Sequence, residues 1–276
     1  MRLRSVYADG EPAVALESEG GLLRVPGLTE IGRDTPLDVL RAAAAEATEP
    51  LDGSIVLRPV VPRPERVVCL GLNYRAHVDE TGRELPTYPV FFTKWGSSLC
   101  AAGDPIALPP ESEQVDFEAE LAVIIGTAGR RIPRERAYEH VAGLTLANDI
   151  TMRDYQYKSH QWLQGKAWDD STPLGPALVT LDEVPDPGNL AITLDRNGER
   201  LQESNTDRLI FDIPTIVATV SEFTMLQPGD VLLTGTPGGV GYRRDPKVLL
   251  TAGDRLTVTI EHVGVLENAV VAGDAA

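Results

Sequence analysis

The sequence predicts a mixed, β-rich protein of the α+β class, with a small N-terminal α/β module over residues 1–65 and a large sheet-rich domain over residues 66–276. Three observations carry this. Short apolar runs of strand composition recur between Gly, Asn and Asp turn signals. Helical periodicity is scarce and does not alternate with the strands, which argues against a doubly wound parallel sheet. Pro59, Pro62 and Pro64 crowd one segment, "RPVVPRPERVV", which cannot be helical and reads as an extended connector between the two parts.

In chain order, "SVYADGEPAVALE" reads as a hairpin around Asp9-Gly10, and "DVLRAAAAEA" as a short helix. After the connector, "RVVCLGL" is a strand. "PRERAYEHVAG" and "IPTIVATVSEFT" are the best helical patterns of the larger domain, and "AITLDRNGERLQ" is a hairpin around Asn197-Gly198. Gly103-Asp104, Gly229-Asp230 and Gly253-Asp254 each stand before an apolar strand, such as "VLLTGT" or "RLTVTI". The sum is a largely antiparallel arrangement without internal repeats.

At 276 residues, with 42% hydrophobic and 24% charged residues, the chain can bury a full core. A formal net charge of −16 argues against nucleic acid or an anionic membrane as partner. It leaves room for a small anionic substrate held at a local positive site. No apolar run approaches the roughly 18–20 residues that span a bilayer, and "MRLRSVYADG" has no apolar signal core, so a soluble, cytoplasmic protein is expected. Cys69 and Cys100, too few for a disulfide scaffold, read as buried thiols.

The chemistry begins at "QVDFEAELAVIIG", where Asp116, Glu118 and Glu120 alternate with apolar residues. In an extended strand alternate side chains share a face, so like charges would sit side by side unless water or a cation separates them. The pattern fits a solvated sheet face or a metal site. The strand in "VAGLTLANDITMRDYQ" ends at Asp149, which could aim a third carboxylate at Glu118 and Glu120. An all-oxygen set of this kind suits Mg²⁺ or Mn²⁺ and leaves coordination positions for water or substrate. Arg153 and Gln156, at i+4 and i+7 from Asp149, share a face with it if the chain is helical there. Arg153 could meet a substrate carboxylate, or simply pair with Asp149.

In "GLNYRAHVDE" the i, i+3 spacing of His77 and Glu80 lets the carboxylate orient the imidazole as a general base, although such a pair also occurs as plain surface decoration. Lys166, ahead of the irregular "AWDDSTPLGP", could stabilise a developing enolate or lie free on the surface. "LLTGTPGGVG" lacks the GK[ST] of a phosphate loop. Its glycine amides and the Thr236 hydroxyl suit an anionic oxygen, or the loop is only a turn.

Together "GLNYRAHVDE", "PVFFTKWGSSL", "VDFEAELAVIIG", "ANDITMRDYQ", "GKAWDDSTPLGP", "NGERLQESNTDRLIFDIP" and "LQPGDVLLTGTPGGVG", in this order between Arg66 and Val271, resemble the fumarylacetoacetate hydrolase family. The resemblance implies a β-roll catalytic domain in a homodimer, with Mg²⁺ or Mn²⁺ on Glu118, Glu120 and Asp149. It implies His77 and Glu80 as a dyad, often on a lid, Lys166 as the site lysine, and Arg153, Gln156 and Thr236 as substrate contacts. Lys94, Arg75 and Tyr74 are further candidate contacts. Asp116, though on the shared face, is not assigned to the metal.

The function so implied is divalent-metal-dependent hydrolysis of a C–C bond in a 2,4-dioxo acid of the acylpyruvate or fumarylpyruvate type. The cation and Lys166 would stabilise the enolate while the dyad activates water. Oxaloacetate decarboxylation, or hydratase, isomerase or lyase chemistry on a related 2-oxo acid, would use the same half-site. A β-roll that only binds a metal and a metabolite is the non-enzymatic alternative.

Overall fold

A computed structural model describes residues 1–273 of the chain. Among these residues two sheets dominate. The larger, of twelve strands, has at its centre Arg2–Ala8, Thr172–Thr180, Val141–Asn148, Ala119–Ile125, Val231–Leu233 and Val67–Gly71, in that spatial order. The smaller has five strands in the order Glu199–Asn205, Ala191–Arg196, Arg255–Ile260, Gly264–Ala272, Ile106–Leu108. Pairing is mainly antiparallel, as expected, with parallel pairs at Val231–Leu233 with Val67–Gly71, at Leu99–Cys100 with Thr172–Thr180, and at Gly264–Ala272 with Ile106–Leu108.

The central strands explain the core. Every residue of Ala119–Ile125 and of Val141–Asn148 is buried, so the alternation in the sequence does not mark a solvated face. Leu121, Val123 and Ile125, with Leu144 and Leu146, pack against Ile192, Leu194, Leu256, Val258 and Leu266 of the five-stranded sheet. Ala122 and Ile124, on the opposite face, pack with Leu3, Val14, Leu40 and Val60 from the N-terminal residues. A sheet covered on both faces needs apolar side chains at both parities, apart from the acids where the strand begins.

Local signals behave as their chemistry dictates. Both hairpins form, and the two central residues of each turn have positive φ: 51° and 86° at Asp9-Gly10, 54° and 84° at Asn197-Gly198. That is the turn whose twist matches paired strands. Helices form at Leu37–Ala45 and Ile213–Phe223. "PRERAYEHVAG" instead gives a 3₁₀ helix, Arg134–His140, in which only Ala137 is buried. With so little apolar face to dock, nothing holds the segment in a regular α-helix.

No helix among the described residues is long and apolar enough to cross a membrane. Cys69 and Cys100 are buried and unpaired, and burial pushes the Cys100 thiol up to about 12. The start of Ala119–Ile125 lies beside the end of Val141–Asn148, with Ala119 opposite Asn148, and the ends of Val231–Leu233 and Val67–Gly71 point the same way. Those four strand ends frame the site.

Candidate metal and catalytic site

Glu118, Glu120 and Asp149 offer carboxylate oxygens that all lie within 4.8 Å of one another, and all three residues are buried. Glu120 faces this cluster from the strand Ala119–Ile125, Glu118 immediately precedes that strand, and Asp149 follows Val141–Asn148. The Asp149 amide donates to the Glu118 carbonyl at 2.8 Å, which ties the two segments together where the acids meet.

Asp116 departs from the even-spaced pattern. The chain breaks between the short strand Val115–Asp116 and Ala119–Ile125, so Asp116 does not line up beside the other two acids. Its carboxylate accepts from the Arg153 Nε at 2.8 Å and from the Gly241 and Tyr242 amides at 2.8 and 3.0 Å. Four acids and three bases are therefore interred together, the bases being Lys94, Arg153 and Lys166.

The Lys166 Nζ bridges Glu118 Oε2 and Asp149 Oδ2, both at 2.8 Å. Lys166 is not on an irregular or exposed stretch: it closes the helical turn Leu163–Lys166 and is buried. Burial opposes its charge, but Asp149 and Glu118 raise its pKa above the ordinary lysine value. Burial likewise opposes the Glu118 carboxylate, yet Lys166 and Arg153 hold it down to about 2. Among the described residues Glu120 forms no ion pair: its Oε2 accepts from the Gly235 amide at 2.7 Å, and burial, Asp149 and Glu118 together push its pKa well up. Ionising all three carboxylates together therefore calls for a positive charge beside Glu120, which a cation would supply.

That electrostatic imbalance fits a divalent metal. Three buried carboxylates in mutual reach, with one of them lacking a counter-charge, form a hard-oxygen set suited to Mg²⁺ or Mn²⁺.

Above the carboxylates a cleft opens, lined among others by His77, Glu118, Arg153, Gln156, Lys166 and Thr236. His77 and Glu80 lie on the helix Arg75–Thr81, with Nδ1 2.6 Å from Glu80 Oε1. The Gly239 amide donates to Glu80 Oε2 at 2.7 Å, which fixes the carboxylate from the other side. Arg153 and Gln156 share the helical turn Arg153–Gln156 and are joined at 3.0 Å. Asp149 lies before that turn, so the i, i+4 pair with Arg153 does not form; Arg153 meets Asp116 and Glu118 instead. Its Nη2 stands 2.7 Å from Glu118 Oε1 and 2.8 Å from Asp116 Oδ2, so the guanidinium is held between two carboxylates.

Lys94, expected to touch substrate, corrects to a different position. Its Nζ is buried against Asp149 Oδ1 at 2.6 Å and does not line the cleft. It steadies one carboxylate oxygen while Lys166 holds the other. Tyr74 is buried and Arg75 exposed, and neither lines the cleft.

Two features escape a reading of the sequence. Gln202 accepts from the Ala119 amide at 2.9 Å and donates to the Thr236 hydroxyl at 2.8 Å, so a residue of the distant hairpin orients Thr236. The glycine-rich loop does bind anionic oxygens, but they belong to the chain itself: Gly235 serves Glu120, Gly239 serves Glu80, and Gly241 serves Asp116. The quoted glycines signalled free amides; nothing in their spacing named these acceptors.

Comparison with known proteins agrees with this geometry. Oxaloacetate tautomerase Fahd2a, mitochondrial, of Rattus norvegicus is 46% identical over 241 residues, covering 86% of this chain and 77% of that protein. The structure of fumarylacetoacetate hydrolase from psychrophilic Exiguobacterium antarcticum superposes with a TM-score of 0.86 at 36% identity, over 99% of both chains. Maleylpyruvate hydrolase from Sphingobium sp. SYK-6, solved with manganese(II) and pyruvate, gives 0.79 at 31% identity over 99% of this chain and 100% of that one. Residues 66–271 match the family described as Fumarylacetoacetate (FAA) hydrolase C-terminal, and with this sheet-rich fold around a buried acidic triad the chain belongs to the fumarylacetoacetate hydrolase family of enzymes.

Proposed function

We propose that the chain is a divalent-metal-dependent enzyme that interconverts keto and enol forms of a 2-oxo acid, with oxaloacetate as its substrate. The observation that carries this is the buried cluster of Glu118, Glu120 and Asp149, short of counter-charge, beside a histidine already oriented by Glu80. The relative named for oxaloacetate tautomerisation, at 46% identity, supports the choice of reaction.

Glu118, Glu120 and Asp149 would hold Mg²⁺ or Mn²⁺, which when bound supplies a Lewis acid for the oxygens of the 2-oxo acid. Arg153, on the cleft lining, would take the substrate carboxylate, and Gln156 and Thr236 would complete its cradle. With Nδ1–H donated to Glu80, His77 keeps Nε2 as its basic nitrogen. That nitrogen would take a proton from the carbon next to the keto group as the C–H bond breaks and the carbon–carbon double bond forms. The proton that His77 takes would be released to solvent while the keto oxygen takes one from solvent, so atoms balance without a co-reactant. Lys166 would favour the developing oxygen charge.

C–C hydrolysis of a 2,4-dioxo acid is the second reading, favoured by the similarity to maleylpyruvate hydrolase. There His77 would instead deprotonate water for attack on the distal carbonyl. One assay separates the two. Enol loss from freshly dissolved oxaloacetate is followed by ultraviolet absorbance, and pyruvate release from acylpyruvates in parallel, each with Mg²⁺, with Mn²⁺ and with chelator, and with Glu118→Ala as control. Metal-dependent enol loss without pyruvate supports tautomerisation. Pyruvate release from acylpyruvates alone would replace it with hydrolysis.

A further inference from the structure

Of the basic residues on the cleft wall, Arg153 and Lys166 are already committed to carboxylates, whereas Arg83 and Arg243 are not. Among the described residues neither Arg83 nor Arg243 forms an ion pair. Arg24, Arg75, Arg130 and Arg255 likewise form no ion pair among the described residues, but of the unpaired arginines it is Arg83 and Arg243 that line the cleft. In a chain with 41 acids to 25 bases, a guanidinium that stays free beside a cleft has no shortage of available partners elsewhere.

Aromatic planes hold both in place. The Arg83 guanidinium lies 5.6 Å from the centre of the Trp162 ring, which stands edge-on to Phe92 at 5.5 Å. Gly82, at φ 66°, ends the helix of His77 and Glu80 and turns the chain so that Arg83 comes to the cleft. On the other wall Arg243 lies 5.7 Å from the Tyr157 ring and 5.5 Å from that of Tyr242, and its Nη2 donates to the Tyr157 hydroxyl at 3.0 Å. A guanidinium held beside an aromatic ring by cation–π attraction keeps N–H donors that can meet an anion. Among the described residues Glu118 is the sole acid on the cleft lining, so no other carboxylate there competes for these donors.

We infer that Arg83 and Arg243 form a subsite for a second carboxylate, so that the enzyme selects 2-oxo dicarboxylates over 2-oxo acids with a neutral tail. This rests on the proposed binding of a 2-oxo acid at Arg153 and the acidic cluster. The proximal carboxylate and keto group go inward to Arg153, Gln156 and Lys166, and the distal carboxylate stays at the exposed rim with Arg83 and Arg243. Leu70, Leu72 and Val240 line the intervening wall and suit the carbon backbone of either class, so it is the arginines that discriminate.

The test is calorimetric binding of three unreactive probes to the Mg²⁺-loaded enzyme: oxalate, which occupies only the inner half, lactate, which lacks a distal carboxylate, and malate, which has one. The parent is compared with Arg83→Gln, Arg243→Gln and the double variant. Both positions are solvent-exposed, so the fold should tolerate the changes. Malate should bind the parent more tightly than lactate, and each substitution should weaken malate roughly tenfold or more, as expected for a lost charge-assisted hydrogen bond, while leaving oxalate and lactate unchanged. The ratio of kcat/KM for oxaloacetate to that for a neutral acylpyruvate should fall in parallel. Oxalate binding with a malate preference that survives the double substitution would overturn the subsite alone. No oxalate binding to the parent would overturn the underlying 2-oxo acid reading.

Discussion

His77 has a carboxylate on one side, which sets its role apart from that of the metal ligands. Glu80 engages Nδ1 at 2.6 Å and is itself held by the Gly239 amide, so the imidazole is oriented through a chain that does not pass through the acidic triad. His77→Ala should therefore lower kcat by about 10²–10⁴-fold, the range for loss of a positioned general base, and leave Mg²⁺ affinity unchanged by calorimetry. Glu118→Ala should do the reverse in binding and abolish metal uptake, because two remaining carboxylates would face Lys94 and Lys166 without surplus charge. A histidine variant that loses metal affinity would contradict the assignment. The pairing of His77 with Glu80 was legible because it needs only an i, i+3 spacing on one helix. The surroundings of Lys94 and Asp116 were not, since their partners lie 55 and 37 residues away and depend on tertiary packing.

At the scale of elements, the punctuation of the chain was the most legible part. All three Gly-Asp pairs close the same turn. The aspartate carboxylate accepts the amide three residues back, at Ala101, Gln227 and Thr251, at 2.7, 2.8 and 2.8 Å, and the glycine takes φ of 88°, 80° and 97°. Only glycine enters that region without strain, so the sequence alone marks where each strand begins. The break after Asp116 was hidden, because an alternating stretch gives no sign of where its ladder stops. The helix Ile213–Phe223 permits a quantitative check. Asp212 is its N-cap, with Oδ1 accepting from the Thr215 amide at 2.9 Å. Burial raises the Asp212 carboxyl, but bonds to Thr215 and the nearby Arg134 outweigh it and depress the pKa. A depressed folded pKa stabilises the fold above the unfolded value near 4, and that stability fades as pH falls through the folded value. Asp212→Ala should cost about 1 kcal/mol in urea unfolding at pH 7, with the difference shrinking at pH 3. An equal loss at both pH values would place the effect in packing rather than in the charged cap.

For the molecule as a whole, the N-terminal 65 residues raise the question of whether they fold apart from the rest. The family match begins at residue 66, just after Pro59, Pro62 and Pro64. The sheet does not break there. Arg2–Ala8 pairs with Thr172–Thr180 through Arg2 opposite Val179 and Leu3 opposite Leu178, and Val60 donates its amide to the Leu174 carbonyl at 3.1 Å. Leu3, Val14, Val25, Ile31, Leu40 and Val60 also cover the face of the central strands that carries Ala122, Ile124 and Leu178. Ala119–Ile125, which begins beside the acidic triad, thus depends on the N-terminal residues for burial of one of its two faces. A chain beginning at Arg66 would expose that apolar face and leave an unpaired strand edge, a template for association with other copies. The full chain should therefore unfold in one cooperative calorimetric transition, and the shortened chain should aggregate or melt without one. Two separate transitions in the full chain, or a shortened chain with the parent's midpoint and metal affinity, would show instead that the site is supported by residues 66–276 alone.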